Sequence, residues 1–166
     1  MSEFNIGNFP STRLRRLRMK DFSRRMISEN NLSVNDLIWP VFVCEGNNIV
    51  DEIKSMPGVF RYSIDSILKE LETIVNLKIP AIALFPQIDN SLKDEKGSKA
   101  VDENNLICRA IKSIKKNFPD LGVICDVALD PYTSHGHDGL IIDNIIHNDA
   151  TLEIFCLLYT SPSPRD

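Results

Sequence analysis

Three short apolar runs, separated by two stretches of helical periodicity, dominate the pattern along the chain. The runs cover 36–43, 81–85 and 122–127, and their unbroken apolar character is typical of strands buried on both faces of a sheet. Between them, apolar side chains recur every three or four residues over 63–77 and 106–118, which predicts two amphipathic helices. The order strand, helix, strand, helix, strand predicts an α/β fold with a parallel sheet and right-handed crossovers.

This order fits both a barrel and an open doubly wound sheet. Residues 44–48, directly after the first run, do not match the G-x-G-x-x-G pattern of dinucleotide-binding sheets, which favours the barrel. Pro40 lies inside the first run and is awkward for a central strand, because proline has no N–H to donate to the sheet.

A basic segment precedes the first strand. Seven Arg or Lys side chains fall between residues 13 and 25, and such a cluster is a candidate nucleic-acid arm. However, Phe22 is the only aromatic residue there for stacking, and the whole chain has a net charge of -4. The pattern therefore favours an arm that pairs with an acidic protein surface, with no nucleic-acid partner.

Composition places the chain among soluble globular proteins. Of its 166 residues, 43% are hydrophobic and 25% are charged, which suits one domain with a substantial core. No apolar run approaches the ~18 residues that span a membrane, and the N-terminus lacks the apolar segment of a signal peptide. The four cysteines form no C-x-x-C pair, which predicts free, buried thiols and a cytoplasmic location.

The candidate chemistry is concentrated in the loop after the third apolar run. Residues 126–139 contain three aspartates, two histidines and a tyrosine, and Asp126 stands where a barrel strand ends and catalytic residues collect. Carboxylates here could orient a substrate ammonium, accept a proton or bind a hard cation such as Mg²⁺. A purely structural alternative is that Asp130-Pro131 and Asp138-Gly139 only form turns.

Two other functions stay open at this point. His135 and His137 have the H-x-H spacing of metal-dependent barrel hydrolases, although they lie in a Gly-flanked loop and not on the strand, which favours loop hydrogen bonding. A half-barrel could also serve as a binding or interaction module with no catalysis of its own.

Several stretches resemble the porphobilinogen synthase (5-aminolevulinate dehydratase) family, in the order in which that family has them. They are Arg13–Arg16, Asp36–Val43, Ser55–Ser63, Leu84–Pro86, Arg109–Lys112 and Asp126–Gly139. The resemblance implies the N-terminal part of a (β/α)8 TIM barrel with an N-terminal arm. On that basis 1–35 is expected to be the arm and 36–155 a truncated barrel domain, since a whole barrel needs about 250 residues.

The resemblance also implies a reaction, in which two molecules of 5-aminolevulinate condense to porphobilinogen in tetrapyrrole and heme biosynthesis. The family's two Schiff-base lysines lie on later strands, so the 166-residue chain by itself is expected to be inactive. Ala128, Asp130 and Asp138 stand where most members carry zinc-binding cysteines, which implies no catalytic zinc. Asp126, Asp130 and Asp138 are then expected to orient the substrate amine.

Two further properties follow from the resemblance alone. Mg²⁺ is expected at an allosteric position whose ligands would lie in the later part of the barrel. The arm is expected to hold a homo-octamer together.

The last eleven residues, 156–166, are expected not to belong to the natural protein. A helix that starts near Asn148 runs into Ser-Pro-Ser-Pro, which a helix cannot pass. The segment resembles a translated sequencing-library adapter, and the alternative is a natural Ser/Pro tail.

Overall fold

The computed structural model describes residues 7–8 and 10–160, which divide into two compact units, 1–33 and 34–166. The first unit contains two short helices, α1 (Arg16–Met19) and α2 (Asp21–Met26). Asp21 forms ion pairs with Arg24 and Arg25 across 3.3 and 3.2 Å, and Ser23 is the one buried residue of the two helices. The large apolar side chains described in this unit are exposed, so its described residues form no hydrophobic core among themselves.

The second unit is an α/β body. Its strands are β1 (Ile38–Val43), β2 (Val50–Glu52), β3 (Phe60–Tyr62), β4 (Ala81–Pro86), β5 (Gly122–Cys125), β6 (Ile141–Ile142) and β7 (Ile145–Ile146). Its α-helices are α3 (Ile64–Asn76), α4 (Leu106–Asn117) and α5 (Asn148–Thr160), and 3-10 turns cover Val34–Asp36, Asn90–Leu92 and Ser98–Val101.

Five strands form one sheet in the order β2-β3-β1-β4-β5. The pairs β3–β1, β1–β4 and β4–β5 are parallel, and only β2 runs antiparallel. Helices α3 and α4 connect β3 to β4 and β4 to β5. This arrangement confirms the predicted α/β fold with parallel strands, and the three predicted strands and two predicted helices all form.

Strand β1 lies in the middle of the sheet although it contains Pro40. On one side Pro40 is paired with Ala83 of β4. On the other side the ladder with β3 begins only at Phe42, so Pro40 has a neighbouring strand on one side alone. A proline is tolerated at such a position because its missing N–H leaves no gap in a second ladder.

The core lies between the sheet and its helices. Val41, Val43, Ile82 and Leu84 point from β1 and β4 into a cluster with Ile67, Leu71, Ala110 and Ile114, and each of these side chains is at most 1% exposed. The opposite face of the sheet carries the alternate residues of the same strands. No helix among the described residues is long and apolar enough to cross a membrane.

The structure adds two hairpins that the pattern did not predict. One is β2–β3, inserted between β1 and α3, and the other is β6–β7, which follows the aspartate loop. The turn of the second hairpin is formed by Asp143 and Asn144, both with positive φ (51° and 61°). The prediction of buried cysteines was only partly right, because Cys44 is buried while Cys125 and Cys156 are exposed.

Candidate active site

A cavity of about 600 Å³ opens beside the carboxyl ends of β4 and β5. Strand β4 ends there in Phe85-Pro86 and β5 in Cys125. Helix α4, the end of α5 and the two loops that follow the strands supply further walls. The lining side chains most relevant to chemistry are Lys93, Cys108, Cys125, Asp126, Asp130 and Tyr132. The carboxyl edge of a parallel sheet is where α/β proteins bind and transform ligands.

Two of the three predicted aspartates line this cavity. Asp126 follows β5 directly, and the alternation of the strand places it on the face opposite the helices. Asp130 lies four residues later on the loop and is also exposed to the cavity. The structure therefore brings Asp126 and Asp130 to one space, where both carboxylates are accessible to a ligand.

The third aspartate, Asp138, has a different place. It is not among the cavity-lining residues, and its Oδ1 accepts a hydrogen bond from the backbone N–H of Leu129 across 2.6 Å. This bond closes the loop 129–138 around Asp130. Asp138 thus holds the shape of the loop, which matches the turn-forming alternative more closely than direct contact with a ligand.

The electrostatic environment of Asp130 includes the other two aspartates. Partial burial raises the pKa of Asp130, and the negative charges of Asp138 and Asp126 raise it further, while the ammonium of Lys93 lowers it. A carboxylate whose pKa is raised by its neighbours is better suited to exchange a proton near neutral pH than an isolated one.

The position of Ala128 tests whether zinc would fit. Ala128 is buried and supplies no donor atom, and the two remaining positions of the cysteine set hold carboxylates, one of which is engaged with Leu129. This donor set does not fit a three-thiolate zinc site. Among the described residues no group of three or more His, Cys, Asp or Glu side chains is arranged to hold a metal ion.

The histidine pair takes part in loop hydrogen bonding. The rings of His135 and His137 are stacked with centroids 5.6 Å apart. Nδ1 of His135 accepts from the backbone N–H of His137 at 3.2 Å, and its Nε2 lies 3.3 Å from the carbonyl oxygen of Glu95. Both ring nitrogens of His135 are therefore used within the loops, and no observation favours the hydrolase alternative.

Three residues that line the cavity were not predicted from the sequence to do so. Lys93 lies between β4 and α4, where the sequence predicted no functional residue, and Cys108 and Cys125 were predicted only to be free, buried thiols. The pKa of Cys125 is raised to about 11, chiefly by desolvation and secondarily by Cys108. Strand alternation was the available signal for Cys125, because it places this thiol in register with Leu84 on the helix-covered face.

Two lysine side chains of α4, Lys112 and Lys115, line the cavity. Lys115 donates to the carbonyl oxygens of Pro119 and Leu121 at 3.0 and 2.8 Å, so it closes the turn that leads into β5. Lys112 is an exposed side chain of α4 at the border of the cavity.

Comparison with known proteins identifies the family. The profile of the family described as delta-aminolevulinic acid dehydratase matches residues 11–161. The chain belongs to this family. Among curated relatives of that name, the protein from Bradyrhizobium diazoefficiens is 56% identical over 142 residues and the one from Chlamydia pneumoniae 47% identical over 145 residues. These alignments cover 86% and 87% of this chain.

A solved structure agrees with the sequence relatives. The delta-aminolevulinic acid dehydratase (porphobilinogen synthase) from Toxoplasma gondii, crystallised with its reaction product porphobilinogen, superimposes with a TM-score of 0.82 at 36% identity over 90% of this chain. The fold is therefore that of the first strands of a (β/α)8 barrel, as the resemblance implied.

The chain matches less than half of the length of each of these relatives. The chain spans 40% and 44% of the two bacterial delta-aminolevulinic acid dehydratases and 43% of the Toxoplasma chain. Both the family match and helix α5 continue beyond Phe155. The interpretation of 156–166 as adapter-derived stays a prediction, and residues 161–166 lie outside the described part of the chain.

Proposed function

We propose that this chain is the N-terminal part of a porphobilinogen synthase, a lyase that condenses two molecules of 5-aminolevulinate in heme biosynthesis. The observation that supports the proposal most directly is the pair Asp126 and Asp130 in one cavity at the carboxyl edge of the parallel sheet. Membership of the family supplies the reaction class.

The chemistry assigned to these residues is recognition of the substrate amine. The carboxylate of Asp126 is placed to accept hydrogen bonds from an ammonium group and to hold it at the strand end. Asp130, whose pKa is raised by burial and by its acidic neighbours, is the better group to take a proton from that ammonium and free the amine. Asp138 acts through the loop that it closes.

Formation of a Schiff base with the substrate ketone needs an amine nucleophile. No lysine of this chain is assigned that role, and the proposal places both Schiff-base lysines on later strands of the complete enzyme. The residues described here would bind and orient one end of the substrate, while the missing part of the barrel would supply the covalent chemistry. The 166-residue chain alone is therefore proposed to be inactive.

The metal requirement is part of the same proposal. The Ala128, Asp130 and Asp138 set does not fit zinc, so substrate binding is proposed to proceed without a catalytic zinc ion. Mg²⁺ is proposed as an allosteric ion bound by residues outside this chain.

The N-terminal unit suggests how subunits associate. Residues 1–33 carry seven basic and three acidic side chains, whereas the rest of the chain carries 12 basic and 20 acidic ones. In the first unit Leu14, Phe22 and Met26 are also exposed. A basic, apolar arm of this kind is suited to an acidic subunit surface, and we propose homo-octamer assembly through it, in the cytoplasm where the free thiols would stay reduced.

The test requires the rest of a barrel. A chimera that replaces the matched 142-residue segment of the Bradyrhizobium diazoefficiens relative with the corresponding segment of this chain supplies it. The chimera is expected to form porphobilinogen from 5-aminolevulinate after treatment with a zinc chelator. A chimera that folds and assembles as the parent does, yet makes no product, would contradict the proposal.

Substitutions in the chimera separate the aspartates by role. Asp126→Ala and Asp130→Ala are expected to lower kcat/KM by about 100-fold or more, which is the usual contribution of a positioned acid–base group. Asp120→Ala is the matched control, because Asp120 is an exposed carboxylate on the turn before β5 and does not line the cavity. Equal effects at all three positions would argue against a specific site.

A further inference from the structure

The loop after β4 runs alongside the aspartate loop and is joined to it through Asp94. Asp94 and Thr133 form an isolated parallel bridge. The N–H of Asp94 donates to the carbonyl oxygen of Tyr132 at 3.3 Å, and the N–H of Ser134 donates to the carbonyl oxygen of Asp94 at 2.9 Å. A residue 39 positions away in the sequence thus fixes the backbone just beyond Asp130.

The side chain of Asp94 sets the conformation of its own turn. Its Oδ1 accepts from the backbone N–H groups of Lys96 at 2.9 Å and of Ser98 at 3.0 Å. These hydrogen bonds to the ionised form, from Ser98 first, lower the pKa of Asp94. The carboxylate therefore holds the turn in the shape in which its backbone meets Tyr132 and Ser134.

The same turn packs against the aspartate loop through a glycine. Gly97 is buried and has φ of +63°, a conformation that glycine adopts without strain. A Cβ at this position would lie 3.1 Å from Cδ2 of Leu129 and 3.4 Å from Cγ2 of Thr133. The turn thus rests on two fully buried residues that flank Asp130 on either side.

Those two buried residues hold the rest of the loop. The N–H of Leu129 binds Asp138, and Oγ1 of Thr133 donates to the carbonyl oxygen of His137 at 2.9 Å. The turn also begins at Lys93, whose half-buried side chain lines the same cavity as Asp130. Contacts from the turn therefore reach the two residues, Leu129 and Thr133, that hydrogen-bond to Asp138 and His137.

We propose that Asp94 is a positioning residue for the reaction, which fixes the aspartate loop by holding the turn 93–98 against Leu129 and Thr133. This inference deepens the proposed function and rests on it. Asp94 acts through the loop and is not assigned contact with the substrate.

The chain offers a matched control on the same loop. Oδ1 of Asp89 accepts from the N–H and from the hydroxyl of Ser91 at 2.8 and 2.6 Å, so it makes the same kind of turn. Within the described part of the chain, the side chain of Asp89 hydrogen-bonds only to Ser91 and not to the aspartate loop, so its removal should leave that loop in place. Asp94→Asn is the conservative variant, because one amide oxygen can still accept both hydrogen bonds that Oδ1 receives.

Kinetics of the chimera test the proposal. Asp94→Ala is expected to raise KM and to lower kcat/KM by about 10-fold to 100-fold, since a displacement of about 1 Å in a site can cost this much. It is also expected to shift the acidic limb of the pH profile of kcat/KM, because a displaced Asp130 would lie at different distances from the charges of Asp126, Asp138 and Lys93. Asp94→Asn should recover most of the activity, and Asp89→Ala should behave as the unsubstituted chimera.

A merely structural role would give a different result. Loss of folded protein lowers kcat in proportion to the folded fraction and leaves KM and the pH profile unchanged, and this outcome would overturn the proposal. So would equal KM values for Asp94→Ala and Asp89→Ala.

Amide hydrogen exchange makes the test independent of catalysis. Peptides covering 126–140 should exchange faster in Asp94→Ala than in Asp89→Ala, while peptides from α3 stay unchanged. Unaltered exchange of 126–140 would contradict the positioning role even in an inactive chimera. Failure of the chimera to make product, with faster exchange in Asp94→Ala, would count against the proposed function alone.

Discussion

The two faces of the central sheet differ in how completely the chain covers them. On the helix-facing side, Ile82 and Leu84 are 0% and 1% exposed. On the other side, Ile38 and Ile124 are 52% and 46% exposed, although they are equally apolar. Residues on neighbouring strands of one sheet thus have opposite environments on its two faces.

The two faces also differ in the chemical groups to which their residues lead. The helix-facing side contains the core. Among the residues of β1, β4 and β5 that point to this side, the thiol of Cys125 is the one reactive group. The other side passes through Phe42, Phe85 and Ile124 and leads directly to Asp126 at the cavity. The cavity thus receives Asp126 from the uncovered face and Cys125, together with side chains of α4, from the helix-covered side.

The largest expected effect is on the free energy of unfolding of the 166-residue chain. Ile82→Ala should lower it by about 2–5 kcal/mol, because a fully buried side chain leaves a cavity behind. Ile124→Ala removes the same atoms from a half-exposed position and should cost less than about 1 kcal/mol. Urea titrations followed by circular dichroism measure both. Equal losses would mean that Ile124 is covered in solution.

The chimera sharpens the same comparison. In the complete barrel of the chimera, the side chain of Ile124 is expected to be buried. Ile124→Ala should then become clearly more costly than in the isolated chain, whereas the cost of Ile82→Ala should stay similar.

The second effect is on self-association of the isolated chain. An exposed apolar sheet face tends to bind a second copy or to aggregate. The double substitution Ile38→Lys and Ile124→Lys should shift the mass measured by light scattering towards the 18.8 kDa monomer. Val75→Lys and Leu77→Lys form the control pair, because these exposed residues lie at the end of α3. If the control pair has the same effect, the sheet face is not the surface responsible.

The third effect concerns Asp130 and has opposite signs for stability and function. Its folded-state pKa lies above the unfolded value, so its ionised form destabilises the native state at neutral pH. Asp130→Asn should therefore raise stability, by less than about 1 kcal/mol because the group is exposed, while it lowers the activity of the chimera. The gain should disappear as the pH falls through the folded pKa and below about 3.9. Thermal unfolding at pH 7 and pH 4 tests the sign.

The smallest effect is on thiol reactivity. With a pKa of about 11, Cys125 is almost entirely protonated at pH 8, and only about one thiol in a thousand is a reactive thiolate. Its alkylation by iodoacetamide should be slow and should rise about tenfold per pH unit between pH 7.5 and 9.5. Peptide mass spectrometry follows it separately from the exposed Cys156. Rapid alkylation of Cys125 at pH 7.5 would contradict the raised pKa of this thiol.

The main βα units could be predicted from sequence because each is long enough to show its period. The apolar runs that became β1, β4 and β5 and the amphipathic stretches that became α3 and α4 end within a few residues of the predicted bounds. The β2–β3 and β6–β7 hairpins have strands of three and two residues, which is too short for alternation to be recognised. The Asp143-Asn144 turn was the available local signal for the second one.

The site was predictable only in part, for a different reason. Asp126 could be placed because it directly follows a strand, and the loop around Asp130 is marked by its composition. The bond from Leu129 to Asp138 and the bridge from Asp94 to Thr133 depend on how loops fold back on each other. Pairings of this kind leave no periodic signal, so the clamping role of Asp138 and the contribution of Lys93 required the structure.

The order of the parallel strands has a consequence for synthesis. From β1 through β4 to β5, each strand is added beside the one made before it, so a chain emerging from the ribosome can assemble the sheet from its N-terminal side. Each helix can cover its strand pair before the next strand arrives. In the described residues β2 and β5 are the two edges of the sheet, and an unpaired edge such as β5 can pair with a strand of another molecule until it is covered.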